Sequence, residues 1–288
     1  METTGNTSIR DSEKRDHKNL ASQESLPWKF FALLILITIP FWVFGGNRLP
    51  IPIKLPVSAL AAFNPVIAAL IMTYLQSGSN GVKELVRKIF DYKKIRNQIW
   101  YVPTLFLNPV IFLLAYVIML WRGMPLPDPE IPILVAPLFF VVFFIFGIGE
   151  ELGWMGYVID PLQKRWGALN AGVLLGFVWA IYHLIPDLQN GQTADWILWH
   201  RIGTVVLRVL MVWIYNNTGK SVFAMILFHT MDNLSWALFP NYGSHYDPFV
   251  ISTITCLVAL IVVLGWGGKT LTRFRYTGAG QLGGLRRA

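Results

Sequence analysis

The chain has 288 residues, of which 54% are hydrophobic and 14% charged, and its formal net charge is +8. Ordinary soluble domains have roughly 25% charged residues, so this composition excludes a typical soluble globular protein. A basic balance in loops beside a bilayer is typical of contact with anionic lipid headgroups, and no nucleic-acid partner is expected. The single cysteine, Cys256, excludes an internal disulfide.

The first 26 residues differ from the rest of the chain. They are polar, carry charges of both signs and contain no Phe, Trp or Tyr. This composition predicts a disordered tail over residues 1–26. The tail lacks the short apolar core and small-residue cleavage site of a secretory signal. The first apolar run is therefore predicted to be a retained helix.

Eight apolar runs follow, each close to the roughly 20 residues that a bilayer crossing needs. They lie at about 28–46, 57–75, 99–120, 133–160, 169–186, 197–215, 221–239 and 249–267. Proline and glycine clusters such as Pro50-Ile51-Pro52 mark the turns. We predict an all-α polytopic membrane protein, with about eight transmembrane helices in one bundle over 27–268 and a basic tail over 269–288.

The basic residues indicate the orientation of this bundle. When alternate loops are assigned to one side, 19 of the 24 Lys and Arg residues lie with the two termini and four lie opposite. Arg208 falls inside the sixth span. Because basic loops stay in the cytoplasm, a multi-pass protein of the cell membrane with both termini cytoplasmic is predicted. Anionic lipids of the inner leaflet are its expected neighbours.

Ionisable side chains interrupt three of the spans. Glu150 and Glu151 lie in the fourth span, His183 in the fifth, and His229 with Asn233 in the seventh. Carboxylates at bilayer depth cost several kcal/mol unless paired or wetted, so the glutamates indicate a site. At 1.5 Å of rise per residue, the three helices bring these groups to comparable depths. The sequence predicts one shared cavity that opens towards the cytoplasmic side.

The spacing of these residues suggests how they divide their tasks. His229 and Asn233 are four residues apart and share one helix face, as do Trp179 and His183. Glu150 and Glu151 are neighbours and point about 100° apart. One glutamate is therefore expected to face the cavity and react, while the other supports it.

Three motifs carry a resemblance to a known family. The segment EELGWMGY at 150–157 resembles the first motif of the CAAX-protease and bacteriocin-processing family of intramembrane proteases, two glutamates followed by three residues and an arginine. The segments WAIYH at 179–183 and HTMDN at 229–233 are similar to its second and third motifs. The resemblance is strongest over a motif core at 133–240 and agrees with the eight-span layout.

The resemblance implies an endopeptidase that hydrolyses a membrane-embedded or lipid-anchored peptide, of the prenylated or bacteriocin type. Peptide hydrolysis needs a base for water and donors for the oxyanion. Glu150 is the expected base, with His183 helping to position the water. His229 and Asn233 would donate to the oxyanion, and Glu151 would be the supporting carboxylate.

Whether a metal takes part stays open at this point. Glu150, His183 and His229 form a possible ligand set for zinc with one open water position. The alternative is a glutamate protease without an obligatory metal, because Asn233 is a poor zinc ligand and a better oxyanion donor.

One position departs from the family pattern. Met155 stands where the first motif has arginine, so Glu151 lacks its expected cation. Arg208 is predicted at nearly the same height in the bundle and is proposed to replace that cation. The alternative, left open by the sequence, is that its guanidinium extends to the lipid headgroups of the inner leaflet. The departure also raises an alternative function, a non-catalytic membrane immunity or scaffold protein that keeps the protease fold. A transporter is disfavoured because no inverted repeat is evident.

Overall fold

A computed structural model describes residues 27–47 and 56–272 of the chain. The predicted tail at 1–26 and most of the predicted basic tail, residues 273–288, lie outside the described residues. The described residues are almost entirely helical. The helices are α1 Pro27–Val43, α2 Asn64–Arg87, α3 Tyr101–Trp121, α4 Ala136–Gly153, α5 Ile159–Gln189, α6 Ala194–Asn217, α7 Val222–Leu238, the short α8 Pro240–Gly243, and α9 Pro248–Trp266.

The predicted membrane spans coincide with these helices. Among the described residues, five segments are long and apolar enough to cross a bilayer, namely Val57–Phe90, Gln98–Trp121, Ile133–Gln189, Ala194–Asn217 and Pro248–Trp266. Two shorter apolar helices, α1 and α7, complete the set. The 57-residue segment contains both the fourth and the fifth predicted spans. The prediction of a helical polytopic membrane protein is confirmed.

The fourth and fifth spans are joined without a conventional loop. A π-helical turn at Trp154–Val158 follows α4 directly. Farther on, Gly167 interrupts α5 with a φ of 77°, a conformation that favours glycine. The chain then starts a new helix whose first N–H groups need acceptors. The N–H of Ala168 donates to the carbonyl of Lys269 at 2.9 Å, so the chain after α9 caps this helix start.

Close packing places α4 in the middle of the bundle. It packs against α2 on one side and α7 on the other, while α5 packs on α6 and α6 on α9. Gly149 and Gly153 form the contact with the segment before and at the start of α2. A Cβ at Gly149 would stand 2.7 Å from the Ala62 carbonyl oxygen, and one at Gly153 would stand 2.5 Å from Pro65. Small residues four apart thus allow the backbones to touch beside the glutamate pair.

The bundle has two distinguishable ends. At one end the 88–97 segment contacts the α6–α7 turn, where Ser221 donates to Asp91 at 2.8 Å. This end also carries the chain after α9 and most of the described basic residues, and we call it the basic end. At the other end, the N–H of Asn241 donates to the Glu130 carbonyl at 2.8 Å. We call this the mouth end, because a cavity in the bundle opens there.

Candidate active site

Glu150 is the glutamate that faces the cavity. Its side chain is held by two indole groups, since Nε1 of Trp179 donates to Oε2 at 2.7 Å and Nε1 of Trp154 donates to the same oxygen at 3.2 Å. Both donors are buried. Glu150 Oε1 has no hydrogen-bond partner among the described residues. One oxygen is therefore fixed, and the other remains free for a ligand in the cavity.

Glu151 turns away from the cavity into a buried ion pair. Its Oε2 lies 2.7 Å from Nη1 of Arg208, and both side chains have 0% exposure. The prediction that Arg208 supplies the cation missing at Met155 is confirmed by this contact. The guanidinium also lies over the ring of Trp179, with Cζ 4.1 Å from the centroid. Met155 itself is buried within the π-helical turn.

Hydrogen bonds fix the tautomers of the two motif histidines. Nδ1 of His229 lies 2.8 Å from Oε1 of Glu151, and Nδ1 of His183 lies 3.0 Å from the carbonyl oxygen of Trp179. A carbonyl can only accept, and so can a carboxylate that is kept ionised by Arg208. Each Nδ1 therefore carries a proton, which leaves Nε2 of each ring for contact with a ligand.

Trp179 connects these groups. Besides donating to Glu150 and covering Arg208, its ring lies 5.7 Å from that of His183 and 5.4 Å from that of His229, both edge to face. The spacing of Trp179 and His183 predicted only the first of these ring contacts. The donation to Glu150 could not be predicted, because it depends on how α5 is rotated against α4.

A cavity of about 490 Å³ brings the motif residues together. Its lining includes Glu150, His183, His229 and Asn233. Among the described residues, Asn233 has no hydrogen-bond partner, so its amide is free to donate into the cavity. The prediction of one shared cavity is confirmed for these four side chains, and Glu151 is the one predicted site residue that lies outside its lining.

The cavity opens at the end of the bundle opposite the basic end, whereas the sequence predicted an opening on the side that carries the termini. Which end faces the cytoplasm stays a prediction. From Glu150 the lining continues along α5 to Asp187 and Asn190 and on to Trp196, and across to Tyr246. These residues belong to the end opposite the basic end, which is why we call it the mouth end. The basic end beneath Glu150 is filled by packed side chains such as Met155, which is 1% exposed. Depth along each helix could not show which end is closed, because side-chain packing decides it.

The sequence also underestimated the polar residues near the mouth. Arg201 forms an ion pair with Asp187, with 2.8 Å between Nε and Oδ2. His200, which the sequence analysis did not single out, lies on the cavity wall with Nδ1 2.8 Å from the Tyr246 hydroxyl. Asp232 lines the same region. Asp232 and Asn233 are adjacent in the third motif, so only the motif pattern had singled out Asn233.

The predicted zinc ligands do not form a metal site. Among the described residues, no group of three His, Cys, Asp or Glu side chains lies close enough together to hold a metal ion. Glu150, His183 and His229 share the cavity without converging on one point, and Oε2 of Glu150 is already occupied by indole N–H groups. The arrangement of these three side chains therefore does not fit a zinc site.

Comparisons with known proteins agree with the motif resemblance. Residues 131–235 match the family model described as type II CAAX prenyl endopeptidase Rce1-like. The chain is also similar to a protein named CAAX prenyl protease 2 from Methanococcus maripaludis. The two are 22% identical over 274 residues, which cover 85% of this chain and 96% of the relative. The matched region contains all three motifs and most of the cavity lining.

Proposed function

Because the chain belongs to the CAAX-protease and bacteriocin-processing family of intramembrane proteases, we propose that it hydrolyses a peptide bond of a membrane-associated substrate by glutamate-activated water. The observation that carries this proposal is the geometry of Glu150. One of its oxygens is held by two indole N–H groups, and the other is free beside two histidines in the same cavity.

The proposed chemistry assigns a role to each of the four motif side chains in the cavity. Oε1 of Glu150 accepts a proton from a water molecule, which then attacks the peptide carbonyl. Nε2 of His183 is an acceptor in its fixed tautomer and orients that water. The amide of Asn233, together with His229 when its Nε2 carries a proton, donates to the oxyanion as it forms. Glu150 then returns the proton to the leaving amine.

The buried ion pair between Glu151 and Arg208 stabilises this arrangement from outside the cavity lining. Glu151 accepts from Nδ1 of His229 with one oxygen and from Arg208 with the other. It therefore holds the His229 ring in place in the way that a buried carboxylate orients a catalytic imidazole. The alternative of a non-catalytic immunity or scaffold protein depended on the missing motif arginine. Arg208 supplies that cation, which favours the protease.

The test of this proposal is proteolysis by the purified chain. The protein in lipid nanodiscs is incubated with membrane-inserted reporter peptides, and the products are identified by mass spectrometry. Both prenylated and unmodified peptides are needed, since the named relative is a prenyl protease and the present site has no feature that requires a prenyl group. Cleavage that depends on Glu150 supports the proposal, and absence of any cleavage across the set contradicts it.

The hydrogen bond from Trp179 gives a prediction about turnover. In Trp179→Phe the ring is kept, but Glu150 loses its shorter N–H donor. Hydrogen bonds to charged groups contribute about 1.5–3 kcal/mol, and Trp154 remains, so we expect kcat to fall about tenfold with little change in KM. Trp121→Phe is the matched control, because Trp121 is 86% exposed and outside the cavity lining. An equal loss in both variants would contradict a specific role of Trp179.

The distribution of basic residues gives a prediction about the side of the membrane. If both termini are cytoplasmic, the basic end contacts anionic inner-leaflet lipids and the mouth faces the opposite side, so the substrate approaches from there. In a Cys256→Ala background, an impermeant thiol reagent on intact cells should label Ser244→Cys at the mouth end. It should label Lys93→Cys at the basic end only after lysis. The reverse pattern would place the mouth in the cytoplasm and refute the predicted orientation.

A further inference from the structure

Asp232 is a carboxylate in the cavity that the proposed chemistry does not use. It lies on α7 between His229 and Trp236, three residues after the first and four before the second, so the three share one helix face. All three line the cavity. Among the described residues, the Asp232 carboxylate has no hydrogen bond and no ion pair. A half-buried carboxylate without a partner is costly, so it suggests a ligand.

The cations near Asp232 are already paired with other carboxylates. Arg201, the one Lys or Arg in the cavity lining, holds Asp187 through both Nε and Nη2. Arg208 lies outside the cavity lining and forms an ion pair with Glu151. No Lys or Arg among the described residues therefore pairs with Asp232, and the space between it and the mouth favours a positive group.

Aromatic side chains surround the same space. Trp236, Tyr246 and Trp196 all line the mouth side of the cavity, and the rings of Trp196 and Tyr246 are 6.0 Å apart. The Tyr246 ring and the Asp232 carboxylate line the same cavity. Aromatic faces combined with a carboxylate are the usual environment for an organic cation in proteins.

We propose that Asp232, Trp236 and Tyr246 form a subsite that binds an ammonium or guanidinium group of the substrate. The subsite lies on the mouth side of His229, about one helical turn from this proposed oxyanion donor and next to the other, Asn233. A basic residue placed near the scissile bond would thus be held while the bond is cleaved. This inference rests on the proposed function for its substrate, although the binding itself needs no turnover.

The experiment measures binding in the Glu150→Gln background, so that no probe is consumed. The probes are fluorescent apolar peptides with one central residue changed: an N-acetylated peptide with lysine, the same peptide with norleucine, and a norleucine peptide with a free N-terminus. We expect the lysine peptide to bind at least about tenfold more tightly than its acetylated norleucine analogue. This ratio of affinities is the effect expected of a modest desolvated charge pair. A preference for the free N-terminus alone would identify an α-ammonium as the ligand.

Variants of Asp232 decide whether this carboxylate is responsible. Asp232→Asn should abolish the preference for the cationic peptide, and Asp232→Glu should retain most of it. Asp195→Asn is the matched control, because Asp195 is exposed near the mouth and outside the cavity lining. Equal affinity for all three peptides, including no detectable binding of any of them, overturns the proposal. So does a preference that survives Asp232→Asn.

Different experimental results would contradict the subsite and the proposed function. A wild-type chain that cleaves the peptides, while the Glu150→Gln variant binds all three with equal affinity, keeps the protease and overturns the subsite. A chain that prefers the lysine peptide through Asp232 but cleaves neither keeps the subsite and overturns the protease.

Discussion

Replacing Glu150 by Gln is expected to reduce the rate of peptide hydrolysis at least about a hundredfold, because the amide cannot accept the proton of the attacking water. The fold should persist. A glutamine oxygen can still accept from Trp179 and Trp154, so neither indole is left unsatisfied. The measurement is kcat on a reporter peptide in nanodiscs, together with the melting temperature of the variant.

The matched control for this prediction is Glu84→Gln. Glu84 is exposed on α2, outside the cavity lining, and the same chemical change there should leave kcat unchanged. Turnover that survives in Glu150→Gln would move the base to another residue. A large drop in melting temperature together with lost turnover would instead indicate that the ionised carboxylate is needed for folding.

Replacing Arg208 by Leu is expected to destabilise the protein by about 3–5 kcal/mol, the usual cost of removing one partner from a buried ion pair. Glu151 would be left with a buried charge and only His229 as a partner. The loss should appear as a lower melting temperature in detergent. Arg87→Leu is the control, since Arg87 is exposed at the end of α2 and the same change there should alter stability little.

Two second-site changes separate the charge from the packing. Glu151→Leu added to Arg208→Leu removes both charges, so much of the stability should return. Activity should not return, because Nδ1 of His229 loses its acceptor. Met155→Arg added to Arg208→Leu should partly restore both stability and activity by placing a cation at the motif position. If the effects of Arg208→Leu and Met155→Arg are simply additive, the two positions are not coupled and this account of the ion pair is wrong.

Several features of the site could be predicted because they depend on local sequence or on distance along a helix. Apolar runs of bilayer length gave the helices, since a chain in lipid must satisfy its own backbone hydrogen bonds. The heights of Glu151 and Arg208 followed from the rise per residue, and their predicted pairing is confirmed at 2.7 Å. The expectation that the two glutamates divide their tasks followed from the 100° between neighbouring side chains.

Other features depended on rotations and contacts between helices, which the sequence does not encode locally. Which glutamate faces the cavity is decided by the packing of α4 between α2 and α7. The donation from Trp179 to Glu150 depends on the approach of α5 to α4.

The sequence by itself therefore determined the helices, the three motifs, the depth of the site and the matched heights of Arg208 and Glu151, because each follows from periodicity and rise along single helices. Only the tertiary structure decided that the cavity is closed at the basic end and open at the other, and that Asp232 joins its wall. The physical reason is that a cavity is the space that neighbouring helices leave unfilled. Its shape depends on the side chains of all of them at once.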